Sequence, residues 1–306
     1  MFMNRILITG ATGFIGKNLV NCLKSKGLYI RAIGKTKAAG VDTIECDFLN
    51  DDIPENAFNR IDTVIHLAAY THDLKFNSKN IHIYNKLNVD VTEKLLKLSI
   101  NNGIKRFVFI SSVKAGGATY KGKCFSEEDQ TYPYEIYGKS KRDAELKVLD
   151  AGARSNMHVS ILRPSLVYGP KVKGNLRLMI SGIKSNWFPP PPNIKNIRSM
   201  IHIDDLVDAI QLIATKRRAN MGIFIATDGK EYSTRDIYEE ICFAFGKTPR
   251  SWGFPVIIYK VIGSISPGLK YKIEKLLGDE CYCSDKLKLL GFKPKKNLAN
   301  INETNF

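Results

Sequence analysis

The sequence predicts a doubly wound α/β fold, a parallel sheet covered by helices on both faces, with a smaller C-terminal lobe. Three observations predict it. Seven short runs are continuously apolar or β-branched, at 6–9, 29–34, 43–47, 63–68, 106–111, 159–163 and 223–227. Stretches with apolar residues at helical period, 14–26, 83–101 and 137–151 among them, separate most of these runs. The first run breaks into glycines at Gly10, Gly13 and Gly16 just where the first helical stretch begins. A strand that is apolar at every position has no polar face to give to water, so helices must cover both sides of the sheet.

Each element then has a local reason. Gly10 allows the tight turn out of the first strand, Gly13 lets the backbone approach a pyrophosphate, and Gly16 lets the helix pack closely on the strand. The helix opening at Phe14 aims its free N–H groups and positive dipole end at the same place, so Thr12, Phe14 and Ile15 border a bound dinucleotide. The second strand ends at Gly34, where an acid would grip a ribose 2′-hydroxyl; Lys35 and Lys37 follow instead. The cofactor is therefore NAD or NADP, with NADP favoured.

The fifth strand ends in Ser111 and Ser112, and Tyr137 and Lys141 follow on the next helical stretch. Residues four apart share a helix face, so the phenol and the ammonium lie side by side. That ammonium and an oxidised nicotinamide both favour phenolate, which brings Tyr137 toward neutral pH as a general acid/base. Ser112 can hold the same substrate oxygen. The strands at 159–163 and 223–227 return to the core, giving a nucleotide domain over 1–170 with returning segments near 200–228, and a lobe over 171–306.

Composition narrows the classes. The chain has 306 residues, 44% of them hydrophobic, enough for one large core or two modest ones. Its net charge of +16 is spread without aromatic interleaving, which fits a basic surface and an anionic nucleotide rather than a nucleic-acid partner. The longest apolar run, 254–265, is interrupted by Lys260 and is too short to span a bilayer. The first strand begins too near Met1 to leave room for a signal peptide, so a cytoplasmic protein is expected. The six cysteines are scattered and lack zinc or redox spacing; they read as reduced, with no metal.

Several segments together resemble the extended short-chain dehydrogenase/reductase family, in its nucleotide-sugar epimerase and reductase branch. They are 9–16, 64–69, 88–92, Ser111-Ser112, Tyr137 with Lys141, 162–170 and 198–205. The resemblance implies a Rossmann core and a lobe that closes over a UDP-sugar. It places Asp47 and Phe48 against the adenine, and Leu67, Ala68 and Ala69 where the backbone passes the cofactor. Asn88 would stabilise the active-site geometry, Lys141 would hold the nicotinamide ribose, and Pro164 and Ser165 would flank the ring. On the substrate side it implies Ser112 and Lys114, Asn175 and Leu176 at a helix start receiving the diphosphate, and Arg198 clamping it. A homodimer through the helices flanking Tyr137 is expected from the same resemblance.

Departures refine this. Leu166 stands where many epimerases carry asparagine, and Val113 and Lys114 stand where 4,6-dehydratases of the family carry Asp-Glu, which argues against dehydration. Segments 111–117 and 163–166 are similar to a subgroup acting on UDP-N-acetylhexosamines for surface polysaccharides such as O-antigen. That subgroup holds both 4-epimerases and 4-keto reductases, and a UDP-glucose 4-epimerase remains the alternative. A cofactor-sensing regulator without catalysis would tend to lose Tyr137 or Lys141, and both are present.

Overall fold

The computed structural model describes residues 3–71, 81–300, 302 and 303. In chain order it contains β1 (Arg5–Thr9), α1 (Phe14–Ser25), β2 (Tyr29–Gly34), β3 (Asp42–Glu45), β4 (Thr63–His66), α2 (Ile81–Tyr84) and α3 (Val91–Asn101). Then come β5 (Arg106–Ile110), α4 (Ile136–Ala153), β6 (His158–Pro164), β7 (Leu166–Tyr168), α5 (Gly174–Lys184), β8 (Arg198–His202) and α6 (Ile203–Thr215). The rest is β9 (Gly222–Ala226), β10 (Glu231–Tyr232), α7 (Thr234–Ala244), α8 (Val256–Ser264), α9 (Pro267–Leu277) and α10 (Asp285–Leu289).

Seven strands form one parallel sheet in the order β3-β2-β1-β4-β5-β6-β9. These are the seven runs expected from sequence, with ends within two residues. Alternation along β1 shows how the sheet divides two cores. Ile6 and Ile8 face α1 and α6 through Leu19, Leu23, Leu206 and Ile210. Leu7 faces the other way, with Val64 and Phe107 against Leu95 of α3 and Val148 of α4. The strand order reverses at β1/β4, and loops from neighbouring strand ends diverge there into a crevice that suits a dinucleotide.

A second sheet, β10-β8-β7, was not legible as strands because β10 and β7 are only two and three residues long and β8 is polar at three of its five positions. Its Tyr168 and Met200 share a third core with Leu176 and Ile180 of α5 and Ile237 and Ile241 of α7. The helical stretch at 83–101 is interrupted by a π-helical turn, Asn85–Asp90. Among the described residues no helix is long and apolar enough to cross a membrane.

The cysteines depart from expectation. Cys124 and Cys281 form a disulfide across 157 residues of chain, while Cys22, Cys46, Cys242 and Cys283 are free thiols. A bridge between Phe125 and Tyr282 brings the two segments together, and spacing along the sequence carries no trace of that pairing.

Candidate active site

The turn after β1 leaves no room for side chains. Gly10 has φ +70°, and a Cβ there would lie 2.7 Å from the Ala68 nitrogen. A Cβ at Gly16 would lie 2.2 Å from the Gly10 carbonyl oxygen, so α1 can rest on the turn only if position 16 is glycine. Gly13 caps α1 without a side-chain hydrogen bond, which leaves the N–H groups of the first turn pointing outward. Thr12, Phe14 and Ile15 surround this helix start. A cleft of about 140 Å³ beside it is lined by Gly10, Thr12, Gly34, Lys35, Phe48 and Ala68. These residues fit a dinucleotide: an open helix N-terminus for the pyrophosphate and a narrow apolar-walled slot for the adenosine.

At the outer end of that cleft the two lysines are already engaged. Lys35 lies 2.8 Å from Asp47, and Lys37 lies 3.3 Å from Glu45. The Lys35 hydrogen bond holds the Asp47 carboxyl below its usual range. Sequence placed Asp47 against adenine and Lys35 beside a 2′-phosphate; the structure instead pairs them with each other. Both lysines are largely exposed, so these pairs are weak and a dianionic phosphate could displace them.

Deeper in the crevice a polar relay locks the strand ends. Thr9 Oγ1 lies 2.6 Å from His66 Nδ1 and accepts from the backbone of Leu67 and Ala68, with Ala69 next along the loop. His66 Nε2 meets Thr92 Oγ1 at 3.0 Å, and Thr92 donates to the Asn88 carbonyl. Burial, reinforced by the Lys141 charge, pushes His66 down to about 3, so this ring is neutral and structural. Asn88, in the π-helical turn, accepts from Tyr70 N–H and donates to Tyr70 carbonyl and Ser140 Oγ. One buried amide therefore fastens the segment after β4 to α4.

Ser112, Tyr137 and Lys141 converge at the ends of β5 and α4. Ser112 caps a short 3-10 turn, accepting from Lys114 N–H at 3.2 Å, and its hydroxyl is near enough to the Tyr137 phenol to favour ionisation of that phenol. Lys141 is buried, donates to the Ile110 carbonyl at 2.7 Å and sits 4.4 Å over the Phe109 ring. Burial pushes Lys141 down to about 7, opposed by the Glu145 charge. Burial pushes the Tyr137 phenol up to about 12, opposed by the Ser112 hydroxyl. Burial thus moves both groups toward their neutral forms, against the phenolate expected from the Tyr-Lys spacing. Ser111 Oγ, at the same strand end, is buried with no hydrogen-bond partner among the described residues, an orphan that a bound ligand can satisfy. Pro164 and Ser165 end β6 nearby, with Ser165 held through its N–H and hydroxyl to the Ala226 carbonyl.

Three contributors escaped the sequence reading. Gly138 allows α4 to begin against the 3-10 turn, since a Cβ there would lie 2.6 Å from the Lys114 carbonyl oxygen. Glu145 takes a buried bidentate pair from Arg163, at 2.8 and 2.6 Å, tying α4 to β6. Tyr84 stacks near both Tyr70 and Tyr137, at 4.8 and 6.4 Å between ring centres. Only Gly138 left a signal, as the glycine directly after Tyr137 in the sequence; the other two need long-range partners to be seen.

The proposed substrate residues are dispersed. Lys114 lines a cavity of about 400 Å³ with Thr119, Pro133, Tyr134, Tyr271 and Tyr282. Its ammonium pairs with Glu280 at 2.5 Å, which holds Lys114 above its usual range against the opposing effect of burial. Arg198, at the start of β8, pairs with the same Glu280 at 3.0 Å and donates to the Lys275 carbonyl. Asn175 is exposed and Leu176 buried in the first turn of α5, away from that cavity's lining.

A parallel sheet in this order, a glycine-lined nucleotide turn and a Ser-Tyr-Lys cluster at the strand ends define a nucleotide-dependent oxidoreductase of the extended short-chain dehydrogenase/reductase type. Residues 6–225 match the family described as NAD dependent epimerase/dehydratase. The chain belongs to that family. It is 33% identical over 304 residues to a UDP-glucose 4-epimerase of Vibrio cholerae, across 96% of this chain and 92% of that one. Among solved structures, a Thermus thermophilus UDP-glucose 4-epimerase in complex with NAD superposes with a TM-score of 0.78 at 22% identity, covering 98% of this chain and 97% of that one. A Bacillus cereus UDP-N-acetylglucosamine 4-epimerase superposes with a TM-score of 0.72 at 20% identity, covering 97% and 95%.

Proposed function

We propose that this chain catalyses NAD(P)-dependent oxidoreduction at C4 of a UDP-linked N-acetylhexosamine, as a 4-epimerase or a 4-keto reductase, with UDP-glucose as the alternative substrate. What carries the reading is the placement of Ser112 just after β5 beside Tyr137 and buried Lys141 of α4, with Lys141 tied to the Ile110 carbonyl at the strand end that borders the dinucleotide crevice. A dinucleotide with its pyrophosphate on the Gly10–Gly16 turn would supply the two-electron carrier for C4, and Pro164 and Ser165 would flank its nicotinamide ring. Every proton step falls to the chain's own residues.

With its phenol near 12, Tyr137 rests protonated and is ready to donate to a C4 carbonyl oxygen. Ser112 holds that oxygen in line, and Lys141 supplies positive charge beside the phenolate that forms. In the oxidising direction Tyr137 must instead accept the C4 hydroxyl proton. Deprotonating it at pH 7 against a pKa near 12 costs about 7 kcal/mol, so that direction depends on cationic charge in the occupied site. Asn175, Leu176 and Arg198 are proposed to receive the diphosphate, with Arg198 exchanging Glu280 for phosphate as the lobe closes. Leu166, at the start of β7, stands where many epimerases carry asparagine, so one polar contact to the sugar is absent and product analysis decides the sugar. A homodimer and either NAD or NADP complete the proposal; Gly34 carries no acid to exclude a 2′-phosphate.

The test is product analysis by NMR after incubation with UDP-N-acetylglucosamine or UDP-glucose and each cofactor. The proposal expects a C4 change with kcat/KM higher for the N-acetylated sugar, and equal or higher turnover of UDP-glucose would return the assignment to the alternative.

A further inference from the structure

The C-terminal lobe carries an apolar helix face that is left exposed among the described residues. On α8, Ile257, Val261 and Ile265 are 63%, 60% and 73% exposed, with Ile258 and Ile262 at 38% and 40%. At 100° per residue these five side chains occupy one face about 140° wide. The opposite face holds Tyr259 and Gly263, both buried. Gly263 lies against the backbone of Lys270 on α9, and the Tyr259 hydroxyl donates to the Pro190 carbonyl. The helix is therefore anchored by its back and displays its most hydrophobic side outward. Trp252, 51% exposed, stands in the segment that leads into it.

The surrounding charge is one-sided. Between Glu240 and Glu274 the sequence contains no acidic residue and five cations, Lys247, Arg250, Lys260, Lys270 and Lys272. Lys260 falls at the edge of the apolar face, about 60° from Ile257 on the helical wheel. Arg250 stacks on the Trp252 ring at 5.7 Å. An apolar face with a tryptophan and a lysine border, in a stretch of sequence without Asp or Glu from 241 to 273, is the pattern of a segment that lies in a lipid interface, its apolar side among acyl chains and its cations among anionic headgroups. A protein partner would need matching acids, and a second copy meeting this same face about a two-fold axis would set Lys260 and Arg250 against like charges.

We propose that this face of α8, with Trp252 and Lys260, docks the protein reversibly on an anionic membrane surface, without spanning it. The proposal is independent of which sugar is turned over.

The experiment is co-sedimentation of the full-length protein with vesicles of phosphatidylcholine alone or mixed with phosphatidylglycerol, alongside sedimentation velocity without lipid. Wild type is expected to pellet with the phosphatidylglycerol vesicles and to remain in solution with phosphatidylcholine. Val261→Glu should reduce the bound fraction at least tenfold, and Lys260→Glu about fivefold or more. Both variants should keep wild-type turnover, because neither residue belongs to the candidate active site; that control separates lost docking from lost folding. Absence of binding, equal binding to both vesicles, or unchanged binding of Val261→Glu would overturn the proposal. So would a wild-type dimer that Val261→Glu splits, since the face would then belong to a second copy.

Discussion

Alanine at position 138 adds one methyl group where α4 and the 3-10 turn touch. Its Cβ would sit 2.6 Å from the Lys114 carbonyl oxygen and 3.0 Å from Pro133 Cβ, against ordinary contacts of 3.4 Å or more. The shortfall toward Lys114 is about 0.8 Å, and neither neighbour is the free end of a flexible chain. The helix must therefore lift from the turn, and the two parts that separate carry Tyr137 and Ser112. A misplacement approaching 1 Å between a proton donor and its positioning partner costs about 100-fold in rate. Overpacking of this kind also costs about 1–3 kcal/mol of stability. Gly138→Ala should thus lose about 100-fold in kcat, while cofactor affinity, set at the distant Gly10 turn, stays within about threefold. Steady-state turnover with saturating nucleotide sugar and fluorescence titration with NADH and NADPH read the two effects. A kcat within threefold of wild type would refute the idea that Gly138 sets the Ser112-Tyr137 geometry.

Other perturbations probe separate parts of the site. Tyr137→Phe removes the proton donor alone, so kcat should fall about 10³-fold with cofactor affinity retained, as measured by turnover and titration. Glu145→Ala leaves the Arg163 guanidinium buried and unpaired, and thermal or urea unfolding should show a loss of about 3–5 kcal/mol. With Lys141 near 7, its charge is present below that pH and lost above it. For the reductive reaction kcat/KM should be flat in acid and fall as pH rises through about 7, and Lys141→Arg, which keeps its charge, should flatten that limb. Asn88→Ala removes the acceptor of Tyr70 N–H and the donor to Ser140 Oγ; a loss of about 1–3 kcal/mol in unfolding experiments is expected, with a fall in kcat that Asn88→Asp partly restores.

Much of the fold could be read from the chain because most core strands are runs rich in apolar and β-branched residues and the glycine turn is local. What escaped depends on partners far along the sequence. The strands β7 and β10 have too few residues for a period to show, and β8 is polar at three of its five positions, Arg198, Ser199 and His202. Arg198 looks like a free phosphate ligand until Glu280, 82 residues away, is folded against it. Lys35 looks like a 2′-phosphate ligand until β3 delivers Asp47 to it. The spacing of Tyr137 and Lys141 tells that they share a helix face, yet only the packed structure shows that burial moves both of them away from their charged forms. Cys124 and Cys281 likewise meet only when the segment before α4 folds against the one after α9.

The central claim is chemistry at C4 of a UDP-sugar by Ser112, Tyr137 and Lys141. Its most direct test offers the purified protein a UDP-4-keto-6-deoxy-N-acetylhexosamine with NADPH or NADH, and UDP-N-acetylglucosamine in parallel, following cofactor absorbance and the C4 proton by NMR. The account predicts one of two results: cofactor oxidation with a new C4 hydroxyl, which makes the chain a 4-keto reductase, or inversion at C4 with no net oxidation, which makes it a 4-epimerase. Neither change, in protein that is folded and binds cofactor, would contradict it.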